Sequence, residues 1–206
     1  MELLEILGTA AGIGFLAGIR LYATVLCLGA LMRGGLMLIP EPFAPALVLA
    51  SLAVLIPAGL LAVVEFLADK APGFDSLWDT FHTLIRPAGA LLLALTASAE
   101  LDAGWRTVLA LTAGGAALAS HAANAAARAA VHHSPEPFPS WTLSLAEDLF
   151  IPLGLWLTVH FPSLVLILVA VFLLVILARI RPVARNLRKR WRPAPRHKAV
   201  PPAGTA

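Results

Sequence analysis

Asp75, Asp79, His82 and Arg86 succeed one another at i, i+4, i+7 and i+11, and on a helix they fall within a sector of about 60°. Two carboxylates one turn apart, with an imidazole three residues on, can hold a divalent cation or pass protons. Asp75, Asp79 and His82 are therefore the candidate metal ligands, and no cofactor beyond such a cation is implied. The opposite side of these turns carries Phe74, Leu77, Trp78, Phe81 and Ile85, so an interfacial amphipathic helix is the competing reading. The next stretch of chain weighs against it. From Pro87 to Ala99 only thirteen apolar or small residues remain, and a helix that long covers roughly 20 Å of a hydrocarbon core about 30 Å thick. Some of the stripe must lie at membrane depth, or the bilayer must thin. The arithmetic repeats further on, where Trp141 to Asp148 leads into thirteen residues, Leu149 to Phe161, interrupted by Pro152. Glu147 and Asp148 are the carboxylates of that second segment.

Two other groups of polar residues sit in apolar surroundings. His121, Asn124, Arg128 and His132 recur at i, i+3, i+7 and i+11, within about 80° of one helix face. On a spanning helix such a face turns toward protein or water, not lipid; a packing face whose polar groups satisfy one another is the plain alternative. Arg20 lies well inside an apolar run and needs a partner, and Glu65 is the expected one, as a midplane pair. Asp79, His82, Glu147 and Asp148 are then the candidate ligand or proton carriers. Asp69, Asp75, Arg86, His121, Asn124 and Arg128 are expected to line the cytoplasmic approach.

Composition sets the class in which this chemistry must work. Hydrophobic residues make up 59 % of the chain and charged residues 13 %, with a mean hydropathy of +0.85. A water-soluble domain needs a more polar surface, so this is an integral membrane protein. The expected fold is all-α and polytopic, with about six transmembrane helices near residues 3–32, 47–68, 76–99, 103–131, 141–161 and 163–178. Cys27 is the single cysteine, which excludes disulfides and thiolate metal sites within one chain. The first helix carries Gly8, Gly12, Gly14 and Gly18, whose spacing lets another helix approach closely. It and the smooth last helix are the faces on which a homodimer could form.

Charge divides the chain into two parts. Residues 1–178, the transmembrane domain, hold six Lys/Arg and twelve Asp/Glu, whereas residues 179–206 hold nine Lys/Arg and no acid. The basic tail belongs in the cytoplasm against anionic lipids, and six spans would put both termini there. Nucleic acid is not an expected partner. Residues 193–206, rich in Pro and Ala, read as disordered. With no Lys or Arg before Arg20, the start of the chain does not read as a cleaved signal peptide.

The two halves also echo each other. Superposing Pro72 on Pro135 brings Trp78 onto Trp141, Glu65 onto Arg128 and Asp69 onto His132. Opposite charges at matched positions invite pairing, and a duplication would relate two helical hairpins by an axis along the membrane normal. Short, Pro-interrupted apolar segments in corresponding positions are a pointer to a transporter site between repeats.

The motifs Ala17-Gly18-Ile19-Arg20, the run Val64 to Asp75, Leu77 to Pro87, Ser134-Pro135-Glu136-Pro137 and Ser144 to Asp148 resemble the bacterial membrane family filed as domain of unknown function 4126. The resemblance covers about residues 8–161. It implies a multi-pass protein of the bacterial inner membrane and names no substrate, cofactor or catalytic residue. The family's Asn after the Ser that follows Ser-Pro-Glu-Pro is absent: Ser140 is followed by Trp141.

Three functions are supported, in descending order. The first is a small transporter or channel for a cation or a proton-coupled solute, favoured by the acidic balance of Glu65, Asp69, Asp75, Asp79, Glu147 and Asp148 against Arg20, Lys70, Arg86 and Arg128. A non-catalytic scaffold or lipid-interacting protein is second, on the strength of the basic tail. An intramembrane metal-dependent enzyme is last, since no motif marks a nucleophile.

Overall fold

The computed structural model describes residues 3–37, 41–68, 74–131 and 138–190, and all regular structure among them is helical. In chain order the elements are α1 (Leu3–Ile19), α2 (Leu21–Arg33), a 3-10 helix (Glu41–Ala50), α3 (Leu52–Ala68), α4 (Phe74–Ala97), α5 (Ala103–Val131), α6 (Phe138–His160) and α7 (Pro162–Arg190). Outward faces are apolar, with Leu60, Leu84, Leu149 and Leu174 all exposed, while Arg20, Arg86, His121 and Glu65 are among the largest fully buried side chains. That polarity is the reverse of a water-soluble core. It suits a hydrocarbon solvent, in which backbone groups are satisfied within helices and charges turn inward. Leu77, Phe81 and Ile85 of α4 accordingly face outward while His82 and Arg86 face in, so the stripe is not a solvated interfacial face.

Among the described residues three helices are long and apolar enough to cross a bilayer, at Leu77–Ala97, Thr142–His160 and Pro162–Arg179. A fourth candidate is the pair Phe43–Ala50 and Leu52–Ala68, bent by 65°. Arg33 Nη1 donates to the Ala50 carbonyl at that bend, at 3.1 Å. These helices do not confirm the six expected spans. The first of them, read as one helix over residues 3–32, is two apolar helices of 17 and 13 residues separated at Arg20.

The chain reverses there. Glu5 to Ile13 of α1 and Leu28 and Met32 of α2 line one cavity, and α2 runs beside α4, with Tyr22 at His82 and Val25 packed with Leu93. Arg20 has φ −144° and ψ 90°, extended values that any residue adopts, so neither Pro nor Gly signals the break. Bonds to its neighbours hold it instead. The Thr24 hydroxyl donates to the Arg20 carbonyl at 2.7 Å, Ser120 Oγ to the Phe15 carbonyl at 2.8 Å, and Arg86 Nη1 to the Gly18 carbonyl at 3.4 Å. The Gly18 carbonyl, left over at the end of α1, is thereby satisfied without solvent.

α1 is the central helix of the bundle. A Cβ at Gly8 would lie 2.0 Å from the Pro162 carbonyl oxygen, at Gly14 2.3 Å from that of Ala113, and at Gly18 2.2 Å from that of Ala117. Gly12 meets Thr158 and Val165. The glycines let α5, α6 and α7 close on α1 inside one chain. α1 and α7 run in the same direction, Gly8 beside Pro162 and Phe15 edge-on to Phe172 at 5.0 Å. Leu3 and Arg190 therefore lie at opposite ends of the bundle.

Candidate functional site

The tip of the V formed by α1 and α2 is buried among α3, α4, α5 and α6, and the charged residues gather around it in two groups. In the first, Arg20, only 1 % exposed, reaches α6. Its Nη2 donates to Ser144 Oγ at 2.8 Å and lies 3.3 Å from Glu147 Oε2, and its Nε lies 3.3 Å from Asp148 Oδ1. Arg128 of α5 donates to the same Glu147 Oε2. One carboxylate oxygen thus serves two guanidiniums, which would repel each other without it. Asp148 stands at the rim, its side chain 28 % exposed.

The second group is centred on Arg86 of α4, which is completely buried. Its Nη2 lies 2.8 Å from Glu65 Oε1 of α3 and 3.7 Å from Asp79 Oδ1. Its Nη1 donates to His121 Nδ1 at 2.8 Å. Arginine accepts nothing, so His121 accepts at Nδ1 and carries its proton on Nε2. That proton points to Thr83 Oγ1, 3.1 Å away, and the Thr83 hydroxyl donates in turn to the Asp79 carbonyl at 3.0 Å. Arg86 donates both to Glu65 and, through His121 and Thr83, into a continuous line of hydrogen bonds that ends at the Asp79 turn.

His82 has the opposite polarity. Its Nδ1 lies 2.7 Å from the Trp78 carbonyl, which only accepts, and its Nε2 3.1 Å from the Tyr22 hydroxyl. Trp78 stacks on the ring with centroids 4.4 Å apart, and Tyr22 meets it edge-on at 5.6 Å. Both ring nitrogens are engaged by protein groups. Among the described residues no three His, Cys, Asp or Glu side chains stand together as a metal-binding group; Asp75 belongs to α4, but its side chain lies outside the described residues, as do Asp69 and His132 entirely.

The expected pair of Arg20 with Glu65 is corrected by this geometry: Glu65 pairs with Arg86, and Arg20 with Glu147 and Asp148. The reversal is the reason, because it swings the Arg20 side chain toward α6 and leaves Glu65 facing α4. The matched charges Glu65 and Arg128 pair within their own hairpins and not with each other. α3 and α4 close through Glu65–Arg86, and α5 and α6 through Arg128–Glu147, with the polarity exchanged between the two hairpins. Arg86 and His121, expected along an approach, are at the centre. Asn124 lies beside Glu147 in a side cavity with Phe15, Phe150 and Phe172, and its Nδ2 has no hydrogen-bond partner among the described residues. Tyr22, Thr83, Ser144 and the Gly18 carbonyl had no sequence signal beyond being polar groups close to Arg20, His82 or Glu147; Tyr22, the only tyrosine, was the most visible of them.

A family model with the description "Domain of unknown function (DUF4126)" matches residues 7–181. No curated protein and no solved structure matches.

Proposed function

The chain belongs to the family described as domain of unknown function DUF4126, and from that premise we propose that it is a small transporter or channel for a cation or a proton-coupled solute, working through the ion network at the tip of the V. One observation carries the reading: a helix broken at Arg20 delivers a buried guanidinium and a backbone carbonyl into two oppositely polarised ion pairs on four other helices. Ionisable groups at membrane depth are costly and mark ion or proton paths, and broken helices place binding groups between repeats. Among the described groups, Glu65, Asp79, Glu147 and Asp148 outnumber Arg20, Arg86 and Arg128, which favours a cation or proton over an anion.

Roles divide by burial. Arg20, Glu65, Arg86, His121, Arg128 and Glu147 form the network that holds two alternative pairings; Asp148 and Asp79, both partly exposed, are the rim carboxylates that exchange protons or cations. His82 and Asn124 flank them, and Asp69 and Asp75 belong to the approach. The protein sits in the bacterial inner membrane with the basic tail in the cytoplasm against anionic lipid. Since α1 and α7 run in the same direction, α1 then starts on the outer side.

Flux of protons and of a panel of mono- and divalent cations into proteoliposomes tests this. Asp148→Asn and Asp79→Asn should each reduce the flux, and Glu147→Gln should abolish it. An unchanged flux in all three sinks the proposal. The runner-up, a lipid-binding scaffold, has one observation in its favour: α7 continues as a single helix through its basic segment to Arg190. It predicts capture of anionic vesicles, lost on removing residues 179–206, with no flux at all.

A further inference from the structure

A crevice runs along α1 between α6 and α7. Two cavities, of about 210 and 350 Å³, share Phe15, Phe150 and Phe172 and together form it, at the size of a small-molecule site. Phe150 and Leu168 at its edge are exposed, so it opens on the lipid-facing surface. The end beside Gly12 and Val165 is apolar, and the Thr158 hydroxyl there is committed to the Gly154 carbonyl at 2.7 Å. The other end reaches Ser120, Asn124 and Glu147. Ser120 Oγ donates to the Phe15 carbonyl at 2.8 Å, and Glu147 is shared by Arg20 and Arg128. Asn124 has no such commitment: its Nδ2 is shielded from solvent and has no hydrogen-bond partner among the described residues. A shielded amide donor is a cost to the fold until an acceptor reaches it.

We infer that this crevice binds an alkyl quinone, its ring at Phe15, Phe150 and Phe172, one carbonyl accepting from Asn124 Nδ2, and its tail along α6 toward Val165. Depth, hydrogen bonding and shape select that occupant. Glu147, at the polar end, comes five residues after the start of the apolar span Thr142–His160, roughly 7.5 Å along the helix. A phosphate, carboxylate or ammonium head would be costly that far inside the hydrocarbon, whereas an uncharged head is not. The unmatched amide donor is answered by a carbonyl oxygen. Three phenyl rings favour a flat conjugated ring, through stacked or edge contacts, over an ester, and the apolar end of the crevice takes the hydrocarbon tail. This is a binding function separate from the ion network, and it stands whether or not the protein transports ions.

The test is thermal unfolding of the full chain in phosphatidylcholine nanodiscs, titrated with a decyl-substituted benzoquinone and, as comparators, decylamine and palmitate. A ligand of the folded state raises the unfolding temperature with its concentration, and the quinone should do so at lower concentration than either comparator. An azide-bearing form of the same quinone should label peptides of α5 and α6 that hold Asn124 and Phe150. Asn124→Leu, which keeps the volume and removes the donor, should weaken the quinone about tenfold without lowering the unfolding temperature of the unliganded protein. Ala146→Phe, at an exposed position of the crevice wall, should suppress the labelling, and it decides the matter if Asn124→Leu does not fold. Equal quinone affinity in wild type and Asn124→Leu, or decylamine or palmitate binding as tightly as the quinone, overturns the head assignment; labelling that maps outside α1, α5, α6 and α7, or that Ala146→Phe leaves undiminished, overturns the site. Ion flux enters none of these readouts, so failure here and failure of the transport reading are separable.

Discussion

Replacing Arg86 by methionine should destabilise the protein more than any single apolar truncation in the same bundle. Arg86 is wholly buried and is held by Glu65 at 2.8 Å, His121 at 2.8 Å and the Gly18 carbonyl at 3.4 Å. Removing one member of a buried pair leaves the other charge desolvated without its counter-ion, which costs about 3–5 kcal/mol. A neutral interhelical hydrogen bond inside a membrane protein averages only about 0.6 kcal/mol, so Thr83→Ala, which cuts the His121 line, serves as the scale. Glu65→Leu alone should fall in the larger class. The double variant Glu65→Leu with Arg86→Met should recover most of the loss, because an apolar pair of similar size fills the same space. Reversible unfolding in mixed micelles, followed by circular dichroism, gives the four stabilities of the cycle. If the double variant is as unstable as the two single losses added together, the pair is not coupled and the account of Arg86 as the centre of the second group is wrong.

Other expectations are independent of that cycle. Gly18→Ala should cost about 1–3 kcal/mol or more, since its Cβ would meet the Ala117 carbonyl at 2.2 Å, whereas Gly115→Ala, with nothing within 4 Å, should gain up to about 1 kcal/mol from helix propensity; equal effects would contradict the close packing of α1 on α5. In a Cys27→Ala background, single cysteines at Leu3 and Lys198 should react with a membrane-impermeant maleimide from opposite sides of oriented vesicles; labelling from one side would restore an even number of passes. Ser144→Ala removes the 2.8 Å acceptor of Arg20 and should cost about 1–3 kcal/mol, read in the same unfolding assay.

Much of the site was legible in the sequence as need and little of it as pairing. A guanidinium in the middle of an apolar run requires a partner, and Arg20 has one; the face shared by His82 and Arg86 is the face that turns inward. The partner was missed because the reversal at Arg20 depends on contacts with Ser144, Glu147 and Asp148, residues far away in sequence, and on backbone angles with no side-chain signature. The first expected span is divided at the same residue. The two hairpins were visible through Pro72 and Pro135, yet which charge meets which is set by the rotation of each helix about its own axis, and a sequence superposition does not contain that rotation.

The reversal at Arg20 also imposes an order on synthesis. Ser144 lies 124 residues beyond Arg20, so at about 5–20 residues per second the ribosome takes roughly 6–25 s to deliver the α6 partners of that guanidinium. Until then the newborn V lacks the Glu147 and Asp148 carboxylates that face its charged apex, and it should wait at the water boundary or in the care of the insertion machinery. The first segment made is thus among the last to be seated, and a chain halted before α6 should be handed to quality-control proteases with its N-terminal helices still unplaced.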